Sequence, residues 1–320
     1  MRTLVLPSLE MAERPAPVPG DGQLLVRVHA AGLNRADLAQ RAGKYPAPPG
    51  WPADIPGLEY AGEVAGLGPG ATYFGVGDRV MGLVGGGAMA ELIVVNQREA
   101  MAIPEGMSWG DAAAIPEAFL TAWDAVVRQG RARGGERVLM HAVGSGVGTA
   151  ASQLAPLLSF TLIGTSRTQE KLDRCRELGM THGVLSTAPD WISQVGGPVD
   201  VVIDTLGGEF FTASLGLLTN RGRLVVVGLL AGRVAEQLDL GLVLRQRLTI
   251  VGTAMRSRGA EERGMLIEQF TQQVLPHFGR GTLRPIVDEV VPMAEAGAAY
   301  ALLGSNRTFG KVVIQVRSEK

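Results

Sequence analysis

The apolar run Arg137–Val143 leads straight into Gly144-Ser145-Gly146-Val147-Gly148, and a helix-forming stretch follows. Glycines in such a turn let the backbone approach a pyrophosphate. The helix opening there offers free N–H groups and a partial positive charge. Alone, a glycine-rich turn is a weak signal; here it gains weight as the first strand-to-helix turn of a long alternating stretch. Folds selective for an unphosphorylated adenosine ribose place an acid about 20 residues beyond the glycines. This chain has Thr165-Ser166-Arg167 there, with Lys171 one helical turn later. An acid would repel a 2′-phosphate, whereas Ser166 can donate a hydrogen bond and Arg167 and Lys171 supply compensating charge. NADPH is therefore expected in preference to NADH. The plainer reading of Arg167 and Lys171 is a solvated helix start. Ligands of such sheets lie beyond the carboxyl ends of the strands. That directs attention to Asp204-Thr205-Leu206-Gly207, Gly228-Leu229-Leu230 and Gly252-Thr253-Ala254-Met255-Arg256.

His141 precedes the glycine turn and has the chemistry of a general base, although a histidine so placed more commonly hydrogen-bonds a neighbouring loop. The one cysteine, Cys175, lies in a helix-like stretch. A single thiol excludes an intrachain disulfide and any metal site needing more than one thiolate, and no metal is expected.

These groups need a scaffold, and 320 residues suffice for two domains that each bury a core. The first third reads as strands Gln23–Ala31, Ala61–Leu67, Asp78–Val84 and Ala88–Val95, separated by turn-rich segments, the pattern of a small, partly open barrel. After Ser108, a candidate N-cap, apolar strands alternate with helices. The strands are Arg137–Val143, Phe160–Thr165, Val199–Asp204, Arg223–Gly228 and Leu248–Gly252. The helices are Gly146–Leu158, Gln169–Leu178, Glu209–Leu218 and Leu240–Arg247. Continuous apolar strands linked by helices indicate a doubly wound parallel sheet, and an α/β fold class. A helix over Ala260–His277, then Asp288–Val291, Met293–Leu303 and Gly310–Val316, is expected to return to the barrel. The expected division is 1–117 with 259–320 for the barrel domain and 118–258 for the nucleotide domain.

The 46% hydrophobic and 19% charged composition, with 44 Gly and 18 Pro, suits a compact fold with many tight turns. Thirty basic against thirty-one acidic residues leave a net charge of -1 and no long-range field to attract nucleic acid or anionic lipid. No apolar run reaches the roughly 18 residues that span a bilayer, and the start breaks at Pro7 before a signal-peptide core develops. A cytoplasmic protein without membrane or nucleic-acid partners is expected.

Asn34-Arg35-Ala36-Asp37, Gly43-Lys44-Tyr45-Pro46-Ala47-Pro48-Pro49-Gly50, Gly57-Leu58-Glu59, the run Ala114 to Trp123, Met255-Arg256-Ser257-Arg258 and Leu275-Pro276-His277-Phe278 occur in order. Over essentially its whole length the chain resembles the zinc-free quinone oxidoreductase branch of the medium-chain dehydrogenase/reductases, which includes zeta-crystallin. The resemblance implies a GroES-like barrel domain, a Rossmann domain, and hydride transfer from NADPH to a quinone or similar conjugated carbonyl. Zinc-dependent relatives carry a cysteine where this chain has Asn34, a histidine where it has Leu58, and a cysteine-rich loop for a second zinc. One cysteine builds neither tetrahedral site. Losing that Lewis acid disfavours alcohol oxidation, whereas a quinone or enone is already electrophilic.

The resemblance further implies that Asn34 lies beside the nicotinamide and that Tyr45 lines the acceptor pocket or touches the cofactor. There the Tyr45 phenol could hydrogen-bond a developing oxyanion or relay a proton, and merely packing in its proline-rich turn is the alternative. Thr121, Ser145, Val147, Arg167, Lys171, Leu229, Met255, Arg256 and Thr308 fall at the family's cofactor-contact positions. Ser186 stands where the family often has a tyrosine near the end of the third strand, and Thr308 stands where an asparagine is expected. Glu59, a neighbour of the metal site in zinc enzymes, is expected to keep a structural hydrogen-bonding role. Two other functions fit the same resemblance. One is an enone, alkenal or enoyl-thioester reductase, and the other a low-turnover NADPH-binding sensor or structural protein. The family pairs nucleotide domains edge to edge, so a homodimer around Leu248–Gly252 is expected.

Overall fold

The computed structural model describes residues 1–317, and the chain divides into two compact units, Met1–Leu120 with Met255–Lys320, and Thr121–Ala254. Among the described residues the first unit is built on a seven-stranded sheet. Its backbone is Gln23–Leu33, whose alternate residues Leu24, Val26, Val28 and Ala30 point into the core, as a half-buried strand requires. Glu59–Leu67 pairs antiparallel along one side of it. On the other side, Leu92–Asn96 pairs with its first part and Lys311–Gln315 with its last. The strand path runs from Val287–Pro292 to Ala100–Ala102, which do not pair with each other among the described residues, so the barrel stays partly open.

Several expected elements differ. Ala88–Val95 is not one strand, and only Leu92–Asn96 is. Ala88 and Met89 instead donate to Gly57 and Pro56 while Met89 accepts from Leu4, so this stretch is pinned between two segments and leaves the ladder. Strands Arg2–Val5 and Glu10–Glu13 form a hairpin that short polar segments did not announce. The expected helix Ala260–His277 stops at Gln273, and a separate turn covers Pro276–Gly279. Pro276 has no N–H to donate and its ring clashes with the preceding turn.

The second unit carries a six-stranded parallel sheet in the order His182–Leu185, Thr161–Ser166, Arg137–Met140, Val199–Asp204, Leu218–Val226 and Thr249–Gly252. In chain order this is 3-2-1-4-5-6, the dinucleotide-binding arrangement. Val199, Val201, Val202 and Ile203 are all fully buried, as expected of a strand covered on both faces. The first strand ends at Met140, three residues short of expectation, because Ala142 turns into the left-handed region at φ 52. No described helix is long and apolar enough to cross a membrane.

Candidate functional site

In the second unit, Ser145 caps the helix Gly146–Leu158, its hydroxyl accepting from the Gly148 amide at 3.1 Å. The amides of Gly146 and Val147 have no partner among the described residues and face outward from a helix N-terminus. A Cβ on Gly144 would lie 2.8 Å from Lys171 Cδ, so the Lys171 stem crosses directly over the turn. Ser166 closes the second strand, and its carbonyl accepts from Ser186 N–H at 2.8 Å. Arg167, the next residue, is exposed and its guanidinium has no partner among the described residues. The loop after Val199–Asp204 is held by Asp204 Oδ1, which accepts from the amides of Leu206 and Gly207 at 2.8 and 2.9 Å. Gly228 allows close packing on the Thr205 carbonyl, 2.8 Å from where its Cβ would be, and Leu229 stands exposed beside it. The Thr121 hydroxyl is buried without a partner among the described residues. Open amides, an orphan hydroxyl and a free guanidinium fit a phosphorylated dinucleotide. The chain's part would be to hold the pyrophosphate at the amides of Gly146 and Val147, with Ser166 and Arg167 standing at the end of the second strand.

His141 belongs to the sheet's packing. Its Nδ1 meets Thr165 Oγ1 at 3.0 Å and its Nε2 meets Ser214 Oγ at 2.8 Å, with Trp191 and Phe210 edge-on. Burial lowers its pKa from 6.5 to about 4. The unfolded chain therefore takes up a proton below about pH 6.5 that the folded chain refuses until about pH 4. Stability should fall across that window, by on the order of 3 kcal/mol in all. The check is the denaturant midpoint followed through the same window, together with a His141 imidazole resonance that does not titrate above about pH 5.

In the first unit, Gln23–Leu33 delivers Asn34 to the end of the barrel, where its N–H bonds Asp37 Oδ2 at 2.8 Å to open helix Arg35–Arg41. Asn34 Nδ2 donates to Glu59 Oε1 at 2.8 Å, and its Oδ1 accepts from Lys311 Nζ at 2.5 Å. Lys311 Nζ lies 2.6 Å from Glu59 Oε1 and also donates to the Leu33 carbonyl at 2.9 Å. Glu59 Oε2 accepts from the Glu117 amide at 2.7 Å. Gly32 is required for this packing, since a Cβ there would lie 2.2 Å from Glu59 Oε1. The carboxylate that neighbours zinc in metal-dependent relatives is here paired with an ammonium, and the ligand positions hold an amide and Leu58. That donor set does not fit zinc.

Beside this cluster a pocket is lined by Leu58, Leu83, Val84, Gly85, Glu117, Met255, Arg256 and Arg263. Arg256 is fixed by donating to Gly85 O at 2.8 Å, Tyr45 O at 3.0 Å and Gln40 Oε1 at 2.8 Å, and its guanidinium lies 4.9 Å from the Tyr45 ring centre. Tyr45 is half-buried and its phenol oxygen has no partner among the described residues. Burial first, then the nearby Glu117, raise its pKa above the ordinary phenol value. Burial and Glu59 push Glu117 up to about 8, and burial pushes Asp37 to about 6. Asn34, Tyr45, Met255 and Arg256 thus gather at one end of the barrel, whereas Thr308 is buried in the turn before Lys311–Gln315. Glu117 and Lys311 were missed. Each is a lone charge in an apolar stretch, Ala112–Trp123 and Lys311–Val316, and a charge so placed must find a partner or change its protonation.

Two family models match the chain, a zinc-binding dehydrogenase model over residues 146–272 and an alcohol dehydrogenase GroES-like domain model over residues 20–105. The polyketide synthase GfsB of Streptomyces halstedii is 34% identical over 298 residues, 92% of this chain but only 5% of that protein's length. The human synaptic vesicle membrane protein VAT-1 homolog is 30% identical over 332 residues, 98% of this chain and 84% of that protein. Among solved structures, an NAD-dependent alcohol dehydrogenase superposes with a TM-score of 0.87 at 32% identity, covering 99% of this chain and 100% of that one. The quinone oxidoreductase of Thermus thermophilus, solved also with NADPH, gives 0.83 at 33% identity and covers 98% and 100%. The CurK enoyl reductase gives 0.84 at 26% identity and covers 98% and 96%.

Proposed function

The chain belongs to the medium-chain dehydrogenase/reductase superfamily, and on that premise we propose that it is an NADPH-dependent, zinc-independent reductase of quinones or similar conjugated carbonyls. NADPH, when bound, supplies the hydride. The observation that carries this reading is the Asn34–Glu59–Lys311 cluster, where a protein ammonium satisfies the carboxylate beside the metal position of zinc enzymes. Without a Lewis acid the acceptor must be electrophilic on its own, as a quinone or enone is. The chain's part would be to orient the cofactor from the Ser145 helix start and from Ser166 and Arg167. At the barrel end, Asn34 would position the nicotinamide and Tyr45 would hydrogen-bond the carbonyl oxygen.

The test is NADPH and NADH oxidation with an ortho-quinone, a 2-enone and an enoyl thioester, with metal analysis of the same sample. Faster NADPH oxidation by the quinone supports the reading, and zinc-dependent alcohol oxidation refutes it. Preference for the enoyl thioester would favour the second reading, an enoyl reductase, to which the likeness to CurK points.

We also propose that the protein is a cytoplasmic homodimer. Thr249–Gly252 is an edge strand with one neighbour among the described residues, and the adjoining helix Leu240–Gln246 buries none of its side chains. Leu240 is 69% and Leu244 78% exposed, an apolar stretch suited to a second copy. Replacing both with glutamate should convert a dimer to a monomer by light scattering, and a wild-type monomer would end this proposal.

A further inference from the structure

We propose that Glu117 is the proton donor that accompanies hydride delivery, its carboxyl protonating the acceptor oxygen from the pocket wall. The assignment rests on the reductase reading above and deepens it. Glu117 is the second residue of helix Pro116–Trp123, and its side chain lines the pocket without a hydrogen bond to any described residue. Its backbone is locked in place because its amide donates to Glu59 Oε2 at 2.7 Å. The charged and titratable groups facing it are Glu59, Lys311, Asp37 and Arg256, with Tyr45 near it and Arg263 lining the same pocket. Lys311 is already engaged by Glu59, Asn34 and Leu33, and Arg256 by three oxygens. Arg263 is paired with Glu99 at 3.0 Å. Among the described residues, therefore, no cation is dedicated to Glu117.

A carboxyl beside a second carboxylate, with Leu58, Leu83, Val84 and Met255 for neighbours, keeps its proton at neutral pH. Its pKa of about 8 agrees with this geometry. In the step, the acceptor gains a hydride with both electrons from the reduced dinucleotide, which is oxidised. The Glu117 O–H bond breaks, a new O–H bond forms on the acceptor, and the carboxylate left behind takes a proton from water before the next turnover. Tyr45, whose own proton is held more tightly than in an ordinary phenol, polarises the oxygen and keeps that proton.

Glu117→Gln keeps the shape and removes the titrating proton. In the wild type, kcat should be level up to about pH 8 and fall beyond it. Glu117→Gln should lower kcat by about 10²-fold and abolish that alkaline limb, with the NADPH Kd unchanged by fluorescence titration. Tyr45→Phe should lose about tenfold, one hydrogen bond to a developing charge, and keep the limb. Without cofactor or acceptor, the infrared band of a protonated carboxyl should be present at neutral pH, disappear above about pH 8, and be absent from Glu117→Gln. Turnover by Glu117→Gln with wild-type kcat and pH profile, or no such band, overturns the assignment alone. No turnover by the wild type with any acceptor overturns the reductase reading with it.

Discussion

Replacing Lys311 with methionine is expected to destabilise the first unit by about 3–5 kcal/mol, the cost of removing one partner from a buried ion pair. Lys311 is 5% exposed and Glu59 not at all, so solvent cannot take over the neutralisation. The lost ammonium also leaves the Leu33 carbonyl and Asn34 Oδ1 without their donor. Denaturant unfolding followed by tryptophan fluorescence measures the loss. Lys311→Met combined with Glu59→Gln should recover part of it, because the stranded charge is then gone while the amide can still accept from the Glu117 N–H. If Lys311→Met were as stable as the wild type, the ammonium would contribute nothing net to the cluster.

Arg167→Glu should weaken NADPH binding by about 10-fold to 10²-fold while leaving NADH binding unchanged or tighter, the cost of one charge-assisted contact to a phosphate. The guanidinium is exposed and unpaired among the described residues, so its removal breaks nothing else, and folding should be untouched. Titrating both nucleotides at fixed ionic strength separates the effect from general electrostatics, because an exposed phosphate contact is screened by salt. Equal losses for NADPH and NADH would show that Arg167 meets the pyrophosphate or nothing specific. Wild-type affinity for both would remove it from the site.

Period and punctuation carried much of this molecule. The helix Gly146–Leu158 behind its glycine turn and the strand Thr161–Ser166, which pairs with the preceding strand Arg137–Met140, are local features, and Val199–Asp204 is legible from its continuous apolar run although it too pairs with Arg137–Met140. Some misreadings, such as the helix stopped by Pro276, had local causes, and others came where a distant segment decided. Ala88 and Met89 have strand-like residue types, yet their hydrogen bonds go to Gly57, Pro56 and Leu4. His182–Leu185 is too short to show a period, and becomes a strand only by pairing with Thr161–Ser166.

The amino-acid order by itself determined the alternation of the parallel sheet, the glycine turn after its first strand, the presence of Arg167 and Lys171 in place of an acid after its second, and the lack of cysteines for zinc, because each depends on residue type at short spacing. Only the tertiary structure decided that Asn34, Glu59 and Lys311 share one buried network and that the Glu117 carboxyl stands beside it without a cation of its own among the described residues. These residues are brought within hydrogen-bond distance by strand pairing across as many as 277 positions of chain. Whether a buried charge is paired, shared or neutralised by a proton depends on that three-dimensional proximity and on exclusion of water, neither of which is written in local sequence.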